Sequence, residues 1–420
     1  MKLHRFTWLL LLITGIASAE ETSASVYAQD FEFFWQTVAG NYAYFDQKQT
    51  DWDKAKTTYT DEVAKVRNDG EFITLLEKAI DEFYDPHLHL NTNTETSPPL
   101  IPSGTDLWAS WDNGDVFLTQ VRPGSAAAKA GLKAGQRVLA INAVAIGDAI
   151  SKRVGRHLRA PDPVAMSWAA TAVLAGQRQQ PRELSISAKG ITNNVSVPAV
   201  KMDATKNPLQ FKRIEDLAYI RIENSLGNTE LIAHFDSTLS LLRDSKGLIL
   251  DLRNTPSGGN TTIARAILSR FVDHDMPYQK HVLPMEEKDS GIKRSWLELV
   301  SPRGTFVYRA PVVVLVDHWT GSMGEGIAIG LNAINNAPLI GTEMAKLLGA
   351  TEHYTLPNTK IGFNLPTEKL LHVNDTPREQ IIPTQRLPDI ASDDEYLAAA
   401  VDALRQLQRG EKPGDKGSQR

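Results

Sequence analysis

The sequence predicts a multidomain α/β protein: a small helical domain first, a β-rich block after it, and a core of alternating strands and helices over most of the second half. Three observations predict it. Apolar residues near the start, Phe31, Phe34, Trp35 and Val38 and then Phe72, Leu75, Leu76 and Ile80, recur at three and four residues, the spacing of amphipathic helices. A polar, Pro-rich stretch, NTNTETSPPLIPSG, breaks that pattern and reads as a linker. From Leu217 onward, short apolar runs (LAYIRI, GLILDLR, PVVVLV, APLIG) alternate with helical ones, which describes a βαβ series around a mostly parallel sheet buried on both faces.

The first residues, MKLHRFTWLLLLITGIASA, carry positive charge at Lys2 and Arg5, an apolar run from Trp8 to Ile13 and a small-residue ending, Ala17-Ser18-Ala19. That is the pattern of a secretory signal peptide, residues 1–19, cut after Ala19; the run is too short to span a bilayer as an anchor. The boundaries that follow are 20–100 for the helical domain, 101–205 for the β-rich block, 206–392 for the core and 393–420 for a charged, Gly-rich tail expected to be disordered. The 420 residues include no cysteine, which excludes disulfides, lipoprotein acylation, thiol catalysis and Cys-type zinc sites. A net charge of −5 with scattered basic residues leaves no footprint for nucleic acid or for an anionic membrane. The expectation is an exported protein, periplasmic or extracellular, with no stable membrane insertion after cleavage and no cofactor. Its oligomeric state is not legible.

In the β-rich block, VFLTQV, a Pro-Gly turn, an Ala-rich helix and VLAINAVAI follow one another. The stretch PGSAAAKAGLKAGQRVLAIN resembles the signature of bacterial PDZ domains. That resemblance implies a groove beside a strand that captures an extended peptide end by strand addition.

Two loops fall where strands of the core end, the edge at which parallel α/β sheets place their sites. In VDHWTGSMGEG, Ser322 stands where strand becomes helix, so its oxygen meets the positive helix end. The turn matches the elbow G-x-S-x-G imperfectly, since Thr320 takes the first glycine position, and serine is also a common helix cap. In DLRNTPSGGN, Gly258 and Gly259 can turn backbone N–H groups inward, as an oxyanion hole requires; no Gly-Lys-Ser/Thr follows, so a P-loop is excluded.

Together, DLRNTPSGG and VVVLVDHWTGSMGE resemble the tail-specific, or carboxyl-terminal processing, serine proteases and their relatives the tricorn core protease and interphotoreceptor retinoid-binding protein. The resemblance implies a crotonase/ClpP-like βαβ protease core behind a PDZ-like domain, with peptide or protein substrates. It makes Ser322 the nucleophile and places the N–H of Met323, with that of Gly258 or Gly259, in the oxyanion hole. One branch of the family takes its base from a lysine in a Gly-Lys-Gly turn. Here that stretch reads LIGTEMAKLLGA; the aligned position is Leu347, and Lys346, one residue earlier, lacks the flanking glycines. The lysine-free, tricorn-like branch uses a histidine, and EFYDPHLHL matches it with His87 as base. Within HVNDTPREQIIPTQRLPD, Glu379 becomes the carboxylate that orients His87, with Glu368 and Asp375 as rivals. Pro86 stands where the family has an auxiliary serine. His87 and His89 could instead pair on a metal, but no third-ligand motif accompanies them, and no metal is expected. His318 is a weaker alternative base, and the other histidines read as structural. The competing readings are a non-catalytic peptide or hydrophobic-ligand binder on the same fold, from another class, and a Ser322/Lys346 dyad protease with Lys346 as the alternative base.

Overall fold

In the computed structural model, residues 11–199, 207–411 and 413 are described, with side chains from Val26 onward. The expected leader, residues 1–19, falls outside them except for the helical backbone from Leu11. Among the described residues, no helix is long and apolar enough to cross a membrane.

The core is a six-stranded sheet in the order Gln385–Arg386, Leu339–Gly341, Val312–Val316, Leu248–Asp251, Leu217–Ile222, Leu209–Ile214, parallel throughout except for its last pair. Every residue of Val312–Val316 and Leu248–Asp251 is buried, as the continuous apolar runs predict for a sheet covered on both sides. Alternate residues serve alternate faces. Leu248, Leu250, Val312, Val314 and Val316 pack with the helices Glu230–Leu241, Thr261–Leu268 and Met323–Asn335. Ile249, Val313 and Leu315 meet Tyr396, Ala400, Ala403 and Leu404 on the other side.

Those last four residues correct the expectation of a disordered tail from residue 393: Asp393–Gln408 is a helix. Ser392 and Glu395 form a reciprocal capping box at its start, with Glu395 Oε2 2.7 Å from Ser392 N. The charged composition hid an apolar stripe at i, i+4, i+7 and i+8, without which one sheet face would lie bare to water. Arg253 fastens this helix to the core. Its guanidinium is bidentate on Asp251 (3.0 and 2.7 Å), reaches Asp393 (2.7 Å) and lies 4.3 Å above the Tyr396 ring.

A second, antiparallel sheet was not legible in the sequence. Gly362–Leu371 pairs with His89–Leu90, Met276–Val282 and Ala350–Thr355, and Ser295–Val300 completes the sheet at the far edge of Met276–Val282. The N-terminal helices Leu11–Asn41, Trp52–Val63 and Asp69–Asp81 share one core with it: Phe34, Trp35, Val38, Phe72 and Leu76 pack with Leu356, Ile361, Phe363 and Leu365. Asp30 accepts from the N–H groups of Asn358 (2.9 Å) and Thr359 (2.7 Å), tying the first helix to the hairpin turn. That packing brings DPHLHL, distant in sequence, against the core.

The PDZ-like part has antiparallel strands Leu107–Asp112, Asp115–Val121, Arg137–Ile141, Arg182–Ala188 and Ile191–Val197. The helix Pro163–Ala175 lies along the edge strand Leu107–Asp112. Thr171 Oγ1 exchanges hydrogen bonds with Ala109 (3.2 and 3.3 Å) and Ser167 Oγ accepts from Trp111 N (3.2 Å). The strand edge where a peptide would add is thus already paired, by side chains of its own helix.

Candidate active site

After Val312–Val316 the chain turns through 317–321, and Ser322 takes φ 49° before the helix Met323–Asn335 begins. A non-glycine residue there carries strain of roughly 1–2 kcal/mol. The surroundings hold it: Ser322 N donates to Glu325 Oε2 (2.8 Å), Gly326 N to Ser322 O (3.0 Å) and Gly321 N to Thr255 O (3.3 Å). Ser322 is half-exposed in a turn whose neighbours, Gly321 and 323–331, are buried. An ordinary helix cap has extended backbone and needs no such strain.

The loop after Leu248–Asp251 lies against this turn, joined by a parallel bridge between Thr255 and Thr320. Gly258 has φ 62°, and a Cβ on it would sit 2.5 Å from Ser322 Cβ and 3.0 Å from Oγ. Any side chain here would fill the space beside the hydroxyl, so the glycine is a requirement of close approach. Met323 N borders the same space, 3.2 Å from that Cβ position, and no acceptor takes its N–H among the described residues. Gly258 N–H is committed to Thr255 O (3.0 Å), whereas Gly259 packs on Leu226, whose carbonyl oxygen would be 1.9 Å from an added Cβ. Of the three expected oxyanion donors, Met323 is thus open and Gly258 is engaged within its own loop.

His87 precedes the strand His89–Leu90. Asp85 accepts from His87 N (2.9 Å) and from Tyr42 Oη (2.8 Å), which sets the local turn. His87 Nδ1 is 2.8 Å from Leu348 O. A carbonyl only accepts, so Nδ1 carries the proton and Nε2 presents its lone pair. Burial, with no carboxylate bonded to the ring, pushes the imidazole down to about 3, so it is neutral throughout the physiological range.

Leu348 belongs to a strap, 345–349, that wraps the serine turn. Ala345 N donates to Thr320 O (3.0 Å), Lys346 N to Glu325 Oε1 (2.9 Å) and Leu347 N to Glu325 Oε2 (3.3 Å). Arg378 Nη2 donates to Leu347 O (2.8 Å) and Gly349 O (3.0 Å) from the far side. Lys346 turns its side chain outward: Nζ pairs with Glu343 (2.7 Å) and the side chain is 47% exposed. It lacks the burial that would make a lysine a base at neutral pH.

Glu379 does not hydrogen-bond His87. Its Oε1 accepts from Gln47 (3.0 Å) and its Oε2 is buried without a partner. Of the rival carboxylates, Glu368 binds His281 (2.6 Å) and Asp375 pairs with Lys280. His318 stacks on Trp108 with rings 4.7 Å apart, and burial pushes it down to about 4. His89 Nδ1 contacts Leu90 O (3.1 Å). Beside the strap, a cavity of about 720 Å³ opens between the PDZ-like edge and the core, lined by Trp108, Ser167, His318, Lys346, Leu348 and Glu379.

Two residues of the site received no role from the sequence, although Glu325 closes the motif VVVLVDHWTGSMGE. Glu325 and Arg378, 3.9 Å apart, are both almost fully buried. The S-x-x-E spacing of SMGE could have pointed to Glu325 as a carboxylate reaching back to the helix start. Arg378 gave no signal beyond its place before Glu379.

Residues 216–391 match peptidase family S41, residues 24–81 the tricorn protease C1 domain and residues 117–163 the PDZ domain. The carboxy-terminal processing protease CtpA of Bacillus subtilis (strain 168) is 24% identical over 238 residues, 54% of this chain but only 44% of that protein. A carboxyl-terminal-processing protease of Picosynechococcus sp. is 23% identical over 345 residues, 79% of this chain and 76% of that protein. In fold, the chain is similar to mature CPAF (TM-score 0.64, 14% identity, 94% of this chain and 99% of that one). It is also similar to the photosystem II D1 C-terminal processing protease (TM-score 0.55, 17% identity, 90% of this chain and 97% of that one). The class is a PDZ-containing peptidase fold with a serine at the strand-to-helix turn. Residues 216–391 thus match peptidase family S41, and the chain is similar to carboxyl-terminal processing proteases over much of its length.

Proposed function

We propose that the protein is an exported serine endopeptidase that works through an acyl-enzyme on Ser322. Ser322 Oγ attacks a peptide carbonyl carbon as its proton passes to His87 Nε2. The resulting oxyanion is met by Met323 N–H; a second donor, from Gly258 or Gly259, requires the 255–259 loop to turn as substrate enters. The C–N bond then breaks, the leaving amine takes the proton from His87, and an ester remains. Water attacks the ester while passing a proton to His87, and that proton returns to Ser322 as the C–O bond breaks.

In this reading the carbonyl of Leu348, in place of Glu379, fixes the tautomer of His87, and Glu379 lines the neighbouring cavity. The PDZ-like part acts as a gate, since its peptide-accepting edge is already bonded to Ser167 and Thr171. The leader at 1–19 directs the chain out of the cytoplasm.

The observation that carries the proposal is the bare backbone of Gly258 against a strained Ser322. Labelling by a fluorophosphonate probe tests it: the wild type takes one label and Ser322→Ala none. A folded wild type that takes no label removes the catalytic reading and leaves the binding one.

A further inference from the structure

The strap 345–349 occupies the stretch where a lysine base would lie, yet it offers the site backbone groups alone. Its amides at 346 and 347 both donate to one carboxylate, Glu325, which also receives the amide of Ser322. Its carbonyl at 348 receives the proton-bearing nitrogen of His87. The serine turn and the histidine are joined through three residues of main chain and one buried side chain.

We infer that Glu325 is a positioning residue that sets the separation of Ser322 and His87, by clamping the strap that orients the histidine to the turn that carries the serine; this rests on the serine reading proposed above.

The donor count explains why a carboxylate is needed. Oε1 accepts one amide and Oε2 two, with the Arg378 guanidinium 3.9 Å away; every group facing the carboxyl is a donor. A protonated Glu325 would turn one oxygen into a donor with no acceptor opposite and would release at least one of those amides. The charged and titratable groups around it are few. Arg378 faces it from the turn Arg378–Gln380, while the Lys346 ammonium lies on Glu343, away from it. His87 stands beyond the strap, bonded to Leu348 O. Burial pushes the Glu325 carboxyl up to about 7, against Arg378 and the three amides, which favour the anion. Because His87 itself is held near 3, a loss of serine reactivity on acidification through neutrality belongs to the clamp and not to the base.

The test is the rate of fluorophosphonate labelling of the full chain between pH 5.5 and 8.5. The wild type should label faster as pH rises, with a midpoint near 7, and Glu325→Gln should label at least tenfold more slowly at pH 8 with a flat profile. Glu325→Asp keeps the charge on a shorter arm; it should recover part of the rate with a shifted midpoint, and it stands in if the glutamine variant does not fold. A labelled wild type with a flat profile overturns the inference while the serine reading stands, as does a Glu325→Gln protein that keeps both rate and midpoint. A folded wild type without label removes both.

Discussion

His87, two residues ahead of the strand His89–Leu90, and His281, within Met276–Val282, lie on segments that flank the strand Gly362–Leu371, and each bonds through Nδ1, yet they are held in opposite charge states. His87 donates its Nδ1 N–H to the neutral carbonyl of Leu348, and burial pushes it down to about 3. His281 lies between Glu368 (2.6 Å) and Glu298 (3.0 Å), stacked on Trp296 (4.7 Å), and although burial works against the charged ring the two carboxylates raise it to about 9. The difference teaches that burial alone does not set a histidine's charge state: the charge of the group across its nitrogen does. His87 meets the main-chain carbonyls of the strap, whereas His281 spends both nitrogens on carboxylates of two neighbouring strands.

The largest expected effect breaks the comparison on the catalytic side. His87→Gln should lower the rate of Ser322 labelling by roughly 10²–10⁴-fold, the usual worth of a general base, with little change in the urea midpoint. If His87→Gln labels at the wild-type rate, the base lies elsewhere.

Next comes the pinned histidine. His281→Gln leaves Glu298 and Glu368 without their shared cation and should cost about 2 kcal/mol in urea unfolding at pH 7, while labelling persists. The two rings should also differ in sign with pH. His281 has a folded pKa above its unfolded value of about 6.5, so its contribution is complete below 6.5 and is lost as pH rises through about 9. His87 has a folded pKa below that value, so its neutral burial costs stability only as pH falls from 6.5 toward about 3. Unfolding midpoints across pH 5–10 should therefore show the gap between wild type and His281→Gln closing on the alkaline side; a constant gap would mean the imidazolium is not the source.

The smallest effect is expected at Lys346. Its ammonium forms a half-exposed pair with Glu343, so Lys346→Ala should change stability by about 0.5 kcal/mol or less. Labelling should fall far less than in His87→Gln. A loss as large as that of His87→Gln would restore the lysine as base.

The amino-acid sequence by itself determined the alternation of strands and helices in the core, because buried parallel strands must be continuous apolar runs. It also determined the two loops of the site, since a serine at a strand-to-helix turn and adjacent glycines are local backbone requirements, legible within ten residues. It misread the C-terminal helix, whose apolar stripe is diluted by charge, and did not register the second sheet, whose strands find partners up to 275 residues away in sequence, as His89 does in Asn364. What only the tertiary structure decided is who faces whom. Lys346 points to solvent, Glu379 stands apart from His87, and Leu348 supplies the acceptor with a carbonyl that every residue possesses and that no sequence pattern can mark. Side-chain identity travels with the sequence; the direction of a main-chain group is fixed only once distant segments, here the N-terminal helices and the 345–349 strap, have packed against each other.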